Sequence, residues 1–453
     1  MDRHVNFGSR MGAIFAAAGS AVGLGNVWRF PMEVGNNGGA AFILVYLLCI
    51  LLVGIPIMVG EFVIGRHTQS NMIEAFRKLA PGRWWRFIGV LGIVAAFILL
   101  SYYIVVSGWT LYYAFSSLEG SLMDHDGDYG RYFSDFVANP WLSLGSAVLF
   151  MFFVHVVISR GVRGGIEKCS KIMMPMLLLI IGILVVCAFS MPGIDQGLSF
   201  LLKPDFSKLT VSAVLSAMGQ AFYSLSLAMG CLCTYASYFG PKTRLASSAL
   251  SVSAIDTFVA ILSGFIIFPA VFSVPGVQAD AGPGLVFQTL PYVFNSAFAS
   301  VPFLGYVFSG LFYVLLFLAA LTSAISLHES VTAYVHENFH LARPRASLLV
   351  SVCTMSTGVF CCLSFGVISD WTFCGLNIFD LFDFVASKIL LPVGGVLIAL
   401  FVGWYLDREL VRREVTNDGT TSNILFRVIL FLLRWIAPVA ILLVFVNGIA
   451  EMF

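Results

Sequence analysis

Three glycines fall within seven positions at Gly19-Ser20-Ala21-Val22-Gly23-Leu24-Gly25, followed by Asn26 and Trp28-Arg29-Phe30-Pro31. The stretch lies inside an apolar segment, 11–33, long enough to cross a bilayer. Glycine at that density weakens a helix. In lipid, unwound backbone is tolerated only where it lines a cavity or is buried in protein. A break here would offer free carbonyls to a cation and free amides to an anion. Close helix–helix packing through small residues is the alternative use of the same composition. A second stretch, Gly219-Gln220-Ala221-Phe222-Tyr223-Ser224-Leu225-Ser226-Leu227-Ala228-Met229-Gly230, puts hydroxyls and glycine in the middle of another apolar segment.

Ionisable residues inside such segments are the other candidates, because an unpaired charge at the bilayer centre costs ~3 kcal/mol or more. Asp256, Glu61, Glu329, Asp383 and Lys388 stand there. Each is a functional group, half of a structural pair, or a partner for broken-helix amides. His328, beside Glu329, reads as a packing histidine more readily than as a proton relay. The histidines have no metal-ligand spacing, no serine sits in a GxSxG elbow, and no Walker loop is present. The chain is not expected to be an enzyme.

The elements that must position these residues are membrane helices. Of 453 residues, 59% are hydrophobic and 11% charged, with a mean hydropathy of +0.93. No soluble domain buries that much apolar surface. Eleven apolar runs are expected to span, near 11–33, 40–65, 87–118, 141–159, 169–190, 211–238, 247–274, 301–335, 346–369, 377–405 and 424–449. Arginine and lysine crowd alternate loops, which predicts a cytoplasmic N-terminus and, after eleven spans, an outside C-terminus. A net charge of +1 says nothing about a nucleic-acid partner, and no basic tract suggests one, so none is expected. No cleavable leader is expected. The nine cysteines form no CxxC pair and read as small helix residues rather than as ligands or disulfides. Breaks in the first and sixth spans predict an all-α membrane protein of two inverted five-helix repeats, 11–190 and 211–405. An extra helix at 424–449 completes a single domain over 1–453.

The stretch from Gly19 to Pro31 closely resembles the signature of the neurotransmitter:sodium symporter family. Glu33 to Ala41, Gly54-Ile55-Pro56 with Glu61 and Gly65-Arg66, Tyr102-Tyr103 with Trp109, Thr234 to Phe239, Ala281 to Gly284 and Leu321-Thr322-Ser323 continue it. The resemblance implies two sodium sites. One would use Ala21, Asn26, Ser224 and Asp256 with the substrate carboxylate, and the other Gly19, Val22, Ala319, Thr322 and Ser323. Oxygen ligands of this kind suit a hard cation. It implies a substrate carboxylate on the amides near Leu24-Gly25 and on Tyr103, with the ammonium on carbonyls near Ala21, Tyr223, Ser224 and Ser226. Leu99, Tyr103, Phe222, Tyr223, Ser226, Met229, Ser323 and Leu327 would wall the side chain. Apolar walls with a flexible Met229 suit a hydrophobic or aromatic amino acid.

An outer gate of Arg29 and Asp383 is implied, with Tyr223 as a lid. An inner gate of Glu337 with Arg3 or His4 is implied too, with Phe7 where a tryptophan is usual. Chloride-dependent relatives have a serine at Ala260 beside residues matching Tyr46, Gln220 and Ser224; Asp256 would replace the anion. The expected function is sodium-coupled import of hydrophobic L-amino acids without chloride, in a prokaryotic inner membrane, as a monomer or weak dimer. Proton coupling, or an amino-acid sensor that transports nothing, is the alternative.

Overall fold

The computed structural model describes residues 6–123, 128–274, 284–299 and 301–450. Among them the one extended pairing is an isolated bridge between Phe373 and Leu376; the rest of the regular structure is helix. Among the described residues nine helices are long and apolar enough to cross a membrane, from Ala40–Thr68 to Asn423–Ala450. The pair Arg10–Ala21 and Gly25–Asn36, bent by 54°, makes a tenth. The remaining expected span is itself a broken pair, Val211–Ser224 and Cys231–Ser237, separated by 225–230. The first and sixth spans are thus the interrupted ones, and the fold is two inverted five-helix repeats with one helix added.

The helices are apolar on every face because lipid surrounds the bundle and protein fills it. Leu44, Leu48 and Leu51 point outward while Phe42 and Tyr46 on the same helix are fully buried. Each break has a visible cause. After Ala21 the chain turns extended at Val22 (φ −69, ψ 110), and the Asn26 side-chain oxygen accepts from the freed Gly23 amide at 2.9 Å. In the sixth span Ser226, Ala228 and Gly230 are left-handed, at φ 51, 62 and 74. For the two that are not glycine this costs about 1–2 kcal/mol each. Polar contacts offset it: Glu61 Oε1 accepts from the Ala228 amide at 2.7 Å, and the Ser226 hydroxyl donates to the Ser20 carbonyl at 2.8 Å. Glu61 is therefore the carboxylate that binds broken-helix amides. Gly65 lets the second span lie against the rest of the sixth, since a Cβ there would stand 2.0 Å from the Cys233 carbonyl oxygen.

At the basic end of the bundle Arg66 clasps three segments. Its guanidinium donates to Glu414 Oε2 at 2.6 Å, to the Glu414 carbonyl at 2.7 Å, to Asn417 Oδ1 at 2.9 Å and to the Thr243 carbonyl. This docks the short helix Arg408–Thr416 onto the second span. Burial pushes the Glu414 carboxyl up, but the His67 contact and the Arg66 charge outweigh it and hold the group below its usual value. A depressed folded pKa gives stability that is present above the ordinary glutamate value, near ~4, and is lost as pH falls through the folded value. Amide exchange across 408–416, corrected for intrinsic rate, is expected to stay slow near neutral pH and to rise as pH falls below the ordinary glutamate value.

Candidate functional site

The two breaks meet. Asn26 Nδ2 donates to Asp256 Oδ1 at 2.7 Å, to the Asp256 carbonyl at 3.1 Å and to Ser224 Oγ at 3.2 Å. Ser224 Oγ in turn donates to Asp256 Oδ2 at 2.9 Å. All three side chains are buried. A carboxylate, a hydroxyl and an amide are so gathered beside the end of the helix at Ala21, and oxygen donors of this kind are the type a hard cation takes. A second such place lies one turn away. Thr322 Oγ1 donates to the Ala319 carbonyl at 3.0 Å and to the Val22 carbonyl at 3.3 Å, and Ser323 Oγ reaches Val22 at 3.0 Å. Gly19 packs on Thr322, where a Cβ would approach its Cβ to 3.2 Å. The residues expected at each sodium position therefore converge in two separate groups.

Between the breaks a small cavity is lined by Ala21, Leu24, Gly25, Leu99, Tyr103, Tyr223, Ser224, Ser226, Met229, Ser323 and Leu327, together with Ser20 and Gly23. The Tyr103 hydroxyl accepts from the Leu24 amide at 3.3 Å, so two groups that can donate to a carboxylate, the Leu24 N–H and the Tyr103 O–H, already lie together. The Ser20 carbonyl accepts from Ser226 at 2.8 Å and from Ser323 at 3.2 Å. Sequence reading missed Ser20 as a participant, because a backbone acceptor leaves no mark in residue type. Phe222, expected in this wall, is elsewhere. Its ring packs on Gly395, where an added Cβ would meet it at 2.5 Å, and it lines a separate cavity beside Lys388 and Ile441. Helical geometry explains the correction: Tyr223 faces the centre, and its neighbour is rotated by about 100°.

Outside the small cavity lies a vestibule of about 360 Å³ lined by Trp28, Arg29, Tyr102, Phe379, Asp380 and Asp383. Leu24, Gly25, Tyr103 and Tyr223 line both spaces, so the two tyrosines partition them. The Arg29 guanidinium lies 4.6 Å from the centroid of the Tyr223 ring and 3.9 Å from Glu33. Asp383 accepts from Tyr102 at 2.7 Å and from Ser387 at 2.8 Å. Arg29 and Asp383 thus face one vestibule without a direct ion pair among the described residues.

At the other end Phe7 sits edge-on to Tyr235 and Tyr238, at 6.1 and 5.9 Å, and its amide donates to the Tyr238 carbonyl at 3.0 Å. Glu337 accepts from the Asn71 amide and side chain at 2.9 and 2.7 Å. Arg3 and His4 lie outside the described residues. Sequence reading missed two further ties here. Glu167 accepts from the Gly8 amide at 2.7 Å, from Ser9 Oγ at 3.0 Å and from Lys171 at 2.6 Å. Glu329 pairs with Arg343 and accepts from the Tyr238 hydroxyl at 2.7 Å. Apart from Lys171, four residues after Glu167, and Arg343, which opens the helix after the one that carries Glu329, these partners lie far away in sequence, and no local spacing announces them. His328 lies between the hydroxyls of Ser351 and Thr332, 2.9 Å from each, as a packed histidine would.

Two broken spans that face each other, an oxygen-lined centre and a vestibule closed by aromatic side chains define a secondary transporter of the inverted-repeat kind. Residues 4–129 and 142–453 match the sodium:neurotransmitter symporter family, and the chain belongs to it. It is 39% identical over 448 residues to the uncharacterized sodium-dependent transporter YhdH of Bacillus subtilis, covering 98% of each chain. It is 33% identical over 455 residues to an uncharacterized sodium-dependent transporter of Haemophilus influenzae, covering 97% of each. Among solved structures it resembles MhsT in complex with L-phenylalanine, with a TM-score of 0.89 and 43% identity over 98% of this chain and 99% of that one. The protein is a multi-pass membrane transporter of a sodium-dependent symporter family, and not an enzyme.

Proposed function

We propose that the chain imports hydrophobic and aromatic L-amino acids with sodium, by alternating access and without chloride. The observation that carries this reading is the meeting of Asn26, Ser224 and the Asp256 carboxylate between the two breaks, beside the apolar walls of Leu99, Met229 and Leu327. The L-phenylalanine held by MhsT supports the substrate class. In this reading one sodium takes Ala21, Asn26, Ser224, Asp256 and the substrate carboxylate. A second takes Gly19, Val22, Ala319, Thr322 and Ser323. Sharing the carboxylate makes sodium and substrate affinities reciprocally coupled.

The Ala260 side chain offers no donor for an anion, and Asp256 brings a carboxylate to the same place; both support chloride independence. Arg29, Tyr223 and Asp383 close the outer side, and Glu337 with the N-terminal segment the inner side. The basic loops support a cytoplasmic N-terminus in a prokaryotic inner membrane, an outside C-terminus, and repeats at 11–190 and 211–405 in one domain. The transporter works as a monomer or weak dimer.

The test is uptake of labelled tryptophan, leucine and phenylalanine into proteoliposomes in chloride-free buffer, with an inward sodium gradient against potassium. Accumulation with sodium alone is expected. Uptake driven equally by a proton gradient, or binding without accumulation, would overturn the reading.

A substitution probes the same cavity. A Cβ at Gly23 would stand 2.5 Å from Ser323 Oγ and 3.1 Å from the Tyr103 hydroxyl. Overpacking of that kind costs about 1–3 kcal/mol. Gly23→Ala is therefore expected to weaken phenylalanine binding roughly tenfold or more, measured by scintillation proximity in saturating sodium.

A further inference from the structure

The helix Arg408–Thr416 and the start of the last span, Asn423–Ala450, enclose a groove of about 440 Å³ at the basic end of the bundle. Arg408, Arg412 and Arg427 line it, with Asp407 and Glu409 as the acidic groups and Phe426 as its apolar wall. The two carboxylates are occupied. Asp407 Oδ2 caps the Leu410 amide at 3.0 Å, and Glu409 holds Arg412 at 2.6 Å and Arg413 at 3.1 Å. Those two bonds keep the Glu409 carboxyl down at about 2, so it stays ionised and keeps Arg412 engaged. Among the described residues, Arg408 and Arg427 are in no ion pair. Arg408 lies 6.0 Å over the Phe426 ring, and Arg427 is exposed. Two unpaired guanidiniums therefore face one groove.

The depth of the groove follows from its aromatic neighbours. Trp404, Tyr405, Trp84 and Trp435 are all exposed, with Trp404 against Trp435 at 4.9 Å and Arg434 over Trp404 at 5.3 Å. Such a belt marks the membrane–water interface. Arg427 lies eight residues before Trp435, about 12 Å of helix, and Arg408 follows Trp404 by four residues, past the extended Leu406 that ends the tenth span. Both guanidiniums thus stand at headgroup level. On the bilayer side of Trp435, Val439, Leu442 and Val446 present an exposed apolar stripe along the last span. A ligand fitting both features has a phosphate at one end and hydrocarbon at the other.

We propose that this groove binds the phosphodiester headgroup of an anionic phospholipid, with Arg408 and Arg427 on the phosphate and the acyl chains reaching past Trp435 along Val439 and Leu442. Forked guanidiniums suit phosphate oxygens, and each basic group near a membrane surface contributes on the order of 1 kcal/mol. Loss of both corresponds to about thirtyfold. The test is native mass spectrometry of the purified full-length transporter titrated with phosphatidylglycerol or phosphatidylcholine. Wild type is expected to retain phosphatidylglycerol preferentially. R408Q/R427Q is expected to lose that preference about thirtyfold, and Arg131→Gln, at the opposite end of the bundle, to keep it.

Equal retention of the two lipids by wild type, or an unchanged preference in R408Q/R427Q, would overturn the proposal. So would full competition by millimolar inorganic phosphate, which would assign the groove to the free ion. If R408Q/R427Q does not fold, R408K/R427K serves instead. It keeps the charge and loses the fork, and a preference reduced several-fold is expected; one equal to wild type would overturn the contact.

Discussion

Asp256→Asn is expected to lower apparent sodium affinity at least tenfold in chloride-free buffer and to regain much of it when chloride is supplied. The carboxylate accepts from Asn26 at 2.7 Å and from Ser224 at 2.9 Å in a site that excludes water. Asparagine removes the charge and keeps the shape, but its single oxygen satisfies only one of those two donors. A charge about 4 Å from a cation is worth roughly 4 kcal/mol in an environment of moderate polarity, far above the threshold for a tenfold change. Chloride, held near Tyr46 and Gln220, would resupply the negative charge without restoring the lost acceptor. Sodium dependence of uptake, measured in chloride and in gluconate, checks this. Full activity of the variant in gluconate would sink the role given to Asp256.

The other large effect concerns stability. Glu329 is completely buried and pairs with Arg343, whose Nε also donates to the Ile158 carbonyl at 3.2 Å. Removing one member of a buried pair leaves the other desolvated and unpaired, at a cost of about 3–5 kcal/mol, whereas replacing both is far less damaging. Arg343→Met is expected to lower the melting temperature of the detergent-solubilised protein by several degrees, and Glu329→Gln with Arg343→Met to recover most of it. Size-exclusion melting profiles of wild type, the single variants and the double variant give the cycle. The pair also braces the end of the bundle that holds Phe7, because Tyr238 bonds Glu329 through its hydroxyl and Phe7 through its carbonyl. Uptake by the single variant is therefore expected to fall along with stability. A single variant as stable as wild type would contradict this account.

Sequence alone determined the spans and the places where two of them break. Lipid leaves the backbone no hydrogen-bond partner, so helices are obligatory and their length is fixed by bilayer thickness. Glycine, serine and asparagine clustered inside an apolar run then mark an interruption that protein must cover. The same logic singled out Asp256, Glu61, Glu329 and Asp383, since an ionisable group in that setting needs a reason. Tertiary structure decided which atoms meet. Asn26 and Asp256 are 230 residues apart and touch because the first and seventh spans pack together. Glu329 found Arg343, and Glu167 found Gly8, by the same route. Phe222 turned away from the centre although its neighbours face it. Between lipid and protein no side of a span faces water, so the hydrophobic pattern alone does not fix its rotation. Its azimuth, and with it the pocket wall, is set only when small residues such as Gly65 and Gly395 let particular side chains and backbones close against one another.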